Sequence, residues 1–73
     1  MEDYKERMIN EYREVKTRYQ KLHRMLVKHD ADTLDFKFNC PVYLLREQKE
    51  VMGRYLNILE IRAEIEDVPL FKE

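Results

Sequence analysis

The sequence is poor in the features that usually stabilise a small protein. Its 73 residues include one cysteine, one glycine, two prolines and no tryptophan. A single cysteine excludes an internal disulfide, and His23, His29 and Cys40 lack the close spacing of a metal site, so we predict neither a metal nor a cofactor. A chain of this length buries too small a fraction of its surface to be comfortably stable alone. We therefore expect it to associate with further copies of itself.

Long apolar runs are also missing. The runs are short, such as Met25-Leu26-Val27, whereas a membrane-spanning helix needs about 20 apolar residues. The charged N-terminus does not resemble a secretory signal peptide. A lone thiol without an export signal is typical of a reducing compartment, so we predict a cytoplasmic protein.

Helical periodicity dominates the first third of the chain. The apolar residues recur at steps of four and three, without Pro or Gly between them, at Met8, Tyr12, Val15, Tyr19, Leu22 and Leu26. This spacing predicts a helix over about residues 2–29 with a heptad seam.

The second half carries two adjacent stripes and predicts a helix over about residues 41–67. One stripe consists of Leu45, Gln48, Met52, Tyr55, Leu59 and Arg62. The other consists of Leu44, Val51, Ile58 and Ile65. Two stripes form a face wider than one partner helix can cover.

These patterns predict an all-α fold with one domain over residues 1–73. We expect an antiparallel two-helix hairpin in which one stripe of the second helix meets the first helix and the other meets a neighbouring subunit. The predicted oligomer interface is Leu44, Val51, Gly53, Ile58 and Ile65. Close approach of another backbone would explain a glycine inside a helix, and an ordinary surface position is the alternative.

Between the helices lies a segment that we call the strap, residues 30–40. Leu34, Phe36 and Phe38 alternate with polar residues, which predicts an extended segment folded over the end of the hairpin with its aromatic side inward. It could be a docking motif, a lid over a pocket or a plug of local core. We expect Asn39 to cap the second helix and Pro41 to lie in its first turn. After the second helix, residues 68–73 form a short tail that we expect to fold back or to touch a neighbour.

Positive charge is concentrated on the first helix, although the net charge of the chain is −1. Residues 12–29 contain six Lys or Arg residues and one acidic residue, a local charge of +5. Arg13, Lys21, Arg24 and Lys28 project from roughly one outward face. We predict that this basic face binds a phosphate-bearing small molecule or an acidic protein surface.

Aromatic residues near the basic stretch leave two interpretations open. Tyr12, Tyr19, Tyr43 and Tyr55, with Arg46, Lys49 and Arg54, could stack a base and hold its phosphate. The alternative is a solvated face above core tyrosines. We do not expect duplex DNA to be a partner, because no DNA-binding motif is present.

Nothing in the sequence requires catalysis. His23 and His29 have no placed carboxylate or serine, and Cys40 has no evident activating base. We therefore predict a protein that is not an enzyme, in which Cys40 has a structural role.

One pattern resembles a known family. The series Leu45-x2-Gln48-x3-Met52-x2-Tyr55-x3-Leu59-x2-Arg62, preceded by a charged heptad helix, resembles small phage and prophage accessory proteins of the helical-hairpin type related to one from crAss-like phages. The resemblance implies a nonessential early protein of the bacterial cytoplasm and brings no catalytic residues. The architecture is also similar to the oligomeric hairpins with which phages sequester cyclic nucleotides made by host defence systems.

The prediction for function is accordingly a homo-oligomeric, non-enzymatic accessory protein that binds and neutralises a host component. A defence signalling nucleotide and a host protein are the candidate components. The alternative is a structural module for protein-protein interaction, which acts through coiled-coil-like helix pairing.

Overall fold

Two helices account for most of the chain in the computed structural model, which describes residues 3–71. Helix α1 spans Tyr4–Asp30 and helix α2 spans Val42–Glu66. They run antiparallel, since Tyr12 near the start of α1 bonds to Glu60 near the end of α2, and Asp30 bonds to Arg46. No strand occurs between residues 3 and 71. The predicted all-α hairpin is confirmed.

Helix α1 begins at a side-chain cap. The Asp3 carboxylate accepts a hydrogen bond of 2.9 Å from the Glu6 amide, as an aspartate in the N-cap position should. The sequence predicts a start at about residue 2, which lies outside the described residues. At the other end the Ala31 amide donates to the Val27 carbonyl, and Asp32 then reverses the chain with a φ of 63°.

Helix α2 begins without a side-chain cap, so the predicted role of Asn39 is wrong. Pro41 occupies the cap position in an extended conformation, and no side chain bonds to the first amides. A capping side chain must come from the residue directly before the helix, and Asn39 lies two residues earlier. The helix ends at Asp67, which adopts the left-handed conformation that Asp tolerates better than most residues.

The core lies along the predicted seam of α1. Met8, Tyr12, Val15, Leu22 and Leu26 are buried, and Tyr19 is half-buried, so this seam is confirmed.

The predicted seam of α2 is only partly correct. Leu59 is buried, and Leu45 and Met52 are half-buried, whereas Gln48, Tyr55 and Arg62 are exposed. The buried positions that the seam missed are Leu56 and Ala63. Leu56 follows Tyr55, and Ala63 follows Arg62. In each pair the apolar side chain is buried and the longer polar one stays at the edge of the core, because burial favours apolar side chains.

The tail completes the core at the end of the hairpin opposite the strap. Val68 and Leu70 are buried against the same cluster as Met8 and Leu59. The ring of Phe71 meets Tyr12 edge to face, with 5.9 Å between ring centroids. The expectation that the tail folds back is therefore confirmed for residues 68–71, and residues 72 and 73 lie outside the described range.

The strap contributes aromatic contacts outside the core. Phe38 is half-buried and stacks on His29 with 5.5 Å between ring centroids, and Phe36 meets Phe38 edge to face. Phe36 itself remains 51% exposed, so only part of the predicted aromatic side points inward. Cys40 is exposed.

Candidate ligand groove

A groove of about 760 Å³ lies between the two helices in the half of the hairpin near the strap. Helix α1 lines it with Tyr19, His23, Leu26, Val27 and Asp30. Helix α2 lines it with Arg46, Lys49, Glu50, Gly53, Arg54, Asn57 and Ile58. The wall is therefore part aromatic, part aliphatic and rich in cations, a composition that suits an organic anion.

An aromatic pair forms the α1 side of this groove. The rings of Tyr19 and His23 are nearly parallel, with an interplanar angle of 5° and 6.5 Å between centroids. Gly53 of α2 faces the same tyrosine, because a Cβ at this position would lie 3.3 Å from Tyr19 Cε1. The absence of a side chain at Gly53 thus lets the Tyr19 ring lie close to the backbone of α2.

Cations surround the aromatic pair. Lys49 Nζ lies 5.9 Å from the centroid of the Tyr19 ring, within the range of a cation-π contact. Arg54 is exposed on the rim. These two cations are available for an anion at the groove, with Glu50 as the nearby opposing charge.

A bidentate ion pair closes the end of the groove next to the strap. Arg46 donates to both carboxylate oxygens of Asp30, one of them at 3.1 Å. These hydrogen bonds, with a smaller contribution from His29, lower the pKa of Asp30 from 3.8 to about 2. The pair joins the last residue of α1 to the first turns of α2 and holds Arg46 in place.

The groove continues toward the chain termini as a narrower cleft of about 260 Å³, which shares Tyr19, Gly53 and Asn57 with the wider part. Here the Tyr12 hydroxyl donates a 2.6 Å hydrogen bond to Glu60. Burial, followed by this bond and the charge of Glu60, raises the pKa of Tyr12 to about 12. Tyr12 is therefore neutral at physiological pH, and it fixes the separation of the helices at this end.

The family of this chain follows from a comparison of sequences. The sequence model of the Sequestin family matches residues 2–65, which include all of α1, the strap and α2 up to its penultimate residue. The chain belongs to the Sequestin family. Comparison with curated proteins and with solved structures gives no significant match. The match supports the predicted kind of protein, a small accessory protein, and the hairpin that forms the groove is the part matched by the Sequestin model.

The predicted basic face lies beside the groove of this Sequestin-family hairpin, not within it. Arg13, Lys21, Arg24 and Lys28 are all exposed on the outward side of α1. Lys21 and Arg24 border a depression of about 500 Å³ together with His23, which also lines the groove. His23 is therefore the point at which the two surfaces meet.

The predicted interface residues separate into two locations on the Sequestin-family hairpin. Leu44, Val51, Ile58 and Ile65 lie on the outer face of α2 and are 44%, 51%, 53% and 77% exposed. Gly53 faces Tyr19 of the same chain, as described above. A side-chain ring, not a second backbone, is what the glycine accommodates within the hairpin.

Of the residues that line the groove, the sequence predicts Tyr19, Arg46, Lys49 and Arg54 for a surface that could stack a base and hold its phosphate. It also predicts a separate anion site on the outward face of α1, and it treats His23 only as an ionisable residue. The lone glycine of the sequence was the available signal, because a glycine in a helix interior indicates a close contact on its own face.

Among residues 3–71, neither helix has a stretch of apolar sequence of the length that a membrane span requires. No group of three His, Cys, Asp or Glu side chains in the same range could hold a metal ion.

Proposed function

We propose that this protein is a non-enzymatic sequestering protein that holds a phosphate-bearing small molecule, most simply a signalling nucleotide, in the groove between α1 and α2. The observation that carries the proposal is the stacked Tyr19 and His23 pair beside Lys49 and Arg54. A base can stack on an aromatic face for about 1 to 3 kcal/mol, and a phosphate accepts charge-assisted hydrogen bonds from Lys and Arg. The family name, Sequestin, also points to sequestration.

The biological setting extends this proposal. We infer a phage or prophage accessory protein, of the type related to one from crAss-like phages, that acts in the cytoplasm of the bacterial host and works as a homo-oligomer. Removing a defence signal by stoichiometric binding requires no catalytic residue. It requires only an affinity that keeps the free signal below the concentration at which its receptor responds.

The test is native mass spectrometry of the purified protein before and after incubation with a panel of cyclic and linear nucleotides. We expect one class of nucleotide to bind and to raise the melting temperature, because a ligand that binds only the folded state stabilises it. Failure of every nucleotide in the panel to bind, together with no 260 nm absorbance in the purified protein, would refute the proposal.

Variants locate the site. His23→Ala with Lys49→Gln removes a stacked ring and a cation from the groove and should weaken binding. Arg18→Gln is the matched control, because Arg18 is exposed and pairs with Glu14, one turn earlier on α1 and outside the groove.

The basic face predicted from the sequence provides the rival location. Arg24→Glu with Lys28→Glu reverses two charges outside the groove. If this pair abolishes binding while the groove pair has no effect, the anion site lies on the outward face of α1. Binding at either site should weaken in salt, because exposed charges are screened over about 8 to 10 Å near physiological ionic strength.

A second candidate function rests on the outer face of α2. The exposed Leu44, Val51, Ile58 and Ile65 would suit a structural module that acts by helix pairing with another protein. A protein that binds no nucleotide but captures another helical protein, and loses it on Val51→Glu with Ile58→Glu, would favour this alternative.

A further inference from the structure

The outer face of α2 carries a stripe of exposed apolar residues. Leu44, Val51, Ile58 and Ile65 recur every seven residues and remain about half exposed or more within the hairpin, as does Ile61 beside them. A stripe that repeats every seven residues is the pattern with which one helix packs along another. Neither α1 nor the tail covers this stripe.

Two charged residues interrupt the stripe at equal distances from its ends. Glu47 follows Leu44 by three residues, and Arg62 precedes Ile65 by three residues. Glu47 thus lies near one end of the stripe, and Arg62, which also pairs with Glu66 one turn later on α2, lies near the other. Such a face is complementary to a copy of itself that runs in the opposite direction.

The spacing is symmetric about a point between Arg54 and Tyr55. Val51 lies three residues before Arg54, and Ile58 lies three residues after Tyr55. Glu47 and Arg62 lie seven residues away on their respective sides, and Leu44 and Ile65 lie ten residues away. A two-fold axis through this point places Leu44 opposite Ile65, Val51 opposite Ile58 and Glu47 opposite Arg62 of the second copy.

Parallel pairing of the same stripe gives a different result. In register, each residue meets its own equivalent, so that Glu47 faces Glu47 and Arg62 faces Arg62. Like charges directly opposite each other are unfavourable, whereas the antiparallel arrangement gives two opposite-charge pairs in each dimer.

We propose that the protein forms a two-fold symmetric dimer in which the α2 helices of two copies pack antiparallel, centred between Arg54 and Tyr55, with Glu47 of each copy beside Arg62 of the other. This arrangement is an isologous interface, in which the same patch is used by both subunits. The inference rests on the self-association in the proposed function but not on its ligand.

The dimer changes the surroundings of the groove. Ile58 belongs to the stripe and also lines the groove, as does Arg54 near the proposed axis, so the second copy lies beside one edge of each groove. The two-fold axis is normal to the plane of the paired helices, so both grooves open on the same side of the dimer. Arg54 of each copy then lies between the two grooves and adds positive charge to both.

Charge exchange tests the pairing. Analytical ultracentrifugation should show a dimer for the wild-type protein at micromolar concentration. Glu47→Arg alone and Arg62→Glu alone should each raise the dissociation constant roughly tenfold, because each creates two like-charge contacts in place of two ion pairs. Glu47→Arg with Arg62→Glu in one chain should restore the dimer, since the opposite charges then meet again.

Disulfide trapping tests the orientation independently. In a Cys40→Ser background, Arg54→Cys should form a covalent dimer on mild oxidation, because the two copies of this residue lie close to the axis. Leu44→Cys should not, because its two copies lie at opposite ends of the paired helices. Circular dichroism on each variant confirms that the helices are intact.

The proposal is overturned if the wild-type protein is a monomer, if neither single charge variant weakens association, if the double variant fails to recover, or if Leu44→Cys cross-links more readily than Arg54→Cys. A wild-type dimer that binds no nucleotide refutes the proposed function alone. A nucleotide-binding monomer refutes this inference alone.

Discussion

Replacing Gly53 with alanine tests the contact that shapes the groove. The new Cβ would lie 3.3 Å from Tyr19 Cε1, slightly closer than ordinary van der Waals contact. Its other near neighbours, the hydroxyl oxygen and Cζ of the same ring, would be 3.6 and 3.7 Å away. The group that must move is therefore the Tyr19 ring, a half-buried side chain at the edge of a groove.

Two terms of opposite sign decide the effect on stability. Alanine is favoured over glycine inside a helix by about 1 kcal/mol. Moving the ring by a few tenths of an ångström forfeits part of its packing on α2, at a cost of a few tenths of a kcal/mol. The balance is a gain of about 0.5 to 0.8 kcal/mol, which corresponds to a rise in melting temperature of roughly 2 to 6 °C for a domain of this size.

Thermal unfolding followed by circular dichroism at one fixed protein concentration measures this gain, since association would make the melting temperature depend on concentration. The same substitution in a Tyr19→Leu background supplies the control, because the ring contact is absent there and the gain should approach about 1 kcal/mol. We also expect Gly53→Ala to weaken nucleotide binding, since it displaces the Tyr19 ring from its place beside His23. A lower melting temperature for Gly53→Ala in both backgrounds would refute the reasoning, because a contact with Tyr19 could not then be the cause.

Other perturbations probe the outer face of α2, the buried tyrosine and the ion pair. Val51→Glu with Ile58→Glu should convert the dimer to a monomer, as seen by ultracentrifugation, because four charges would be forced into an apolar contact; an unchanged oligomer would place the interface elsewhere. Tyr12→Phe should cost about 1 kcal/mol of stability in chemical denaturation by removing the bond to Glu60. The raised pKa of Tyr12 contributes stability that is fully present below pH 10.0 and is lost as the pH rises to about 12. Tyr12→Phe should therefore reduce the loss of stability between pH 10 and 12. Asp30 has a lowered pKa, so its contribution is present above pH 3.8 and is lost as the pH falls to about 2, and Asp30→Asn should flatten the stability profile in that window.

The fold was predictable because α1 carries a single, uninterrupted seam. With one apolar face, the helix has only one way to pack, and five of its six predicted seam residues are buried. Helix α2 has two stripes, so its pattern fits more than one arrangement. Leu56 and Tyr55 are neighbours, and both contact or approach α1, Tyr55 through a hydrogen bond to Glu11. Which of them is buried depends on how the helices cross, a property of tertiary packing that local spacing does not contain.

The groove was less predictable for a related reason. Tyr19 occupies a seam position, so its sequence pattern is that of a core residue. Its role in the groove depends on Gly53 of α2, which is 34 residues away along the chain and leaves space for the ring. The stacking of His23 on Tyr19 joins residues four apart on one helix, a spacing that brings side chains together. That pair could have been anticipated, whereas the opposing glycine required the antiparallel fold.

The bond between Tyr12 and Glu60 also has a consequence for how the chain is made. Its two residues are 48 positions apart. At ordinary rates of translation, roughly 2 to 10 seconds separate the synthesis of the first partner from that of the second. Throughout this interval the apolar seam of α1 exists without the helix that will cover it. On a polysome, neighbouring unfinished chains present the same seam side by side, so nascent α1 helices can associate with one another, or with a chaperone, before α2 arrives to displace them.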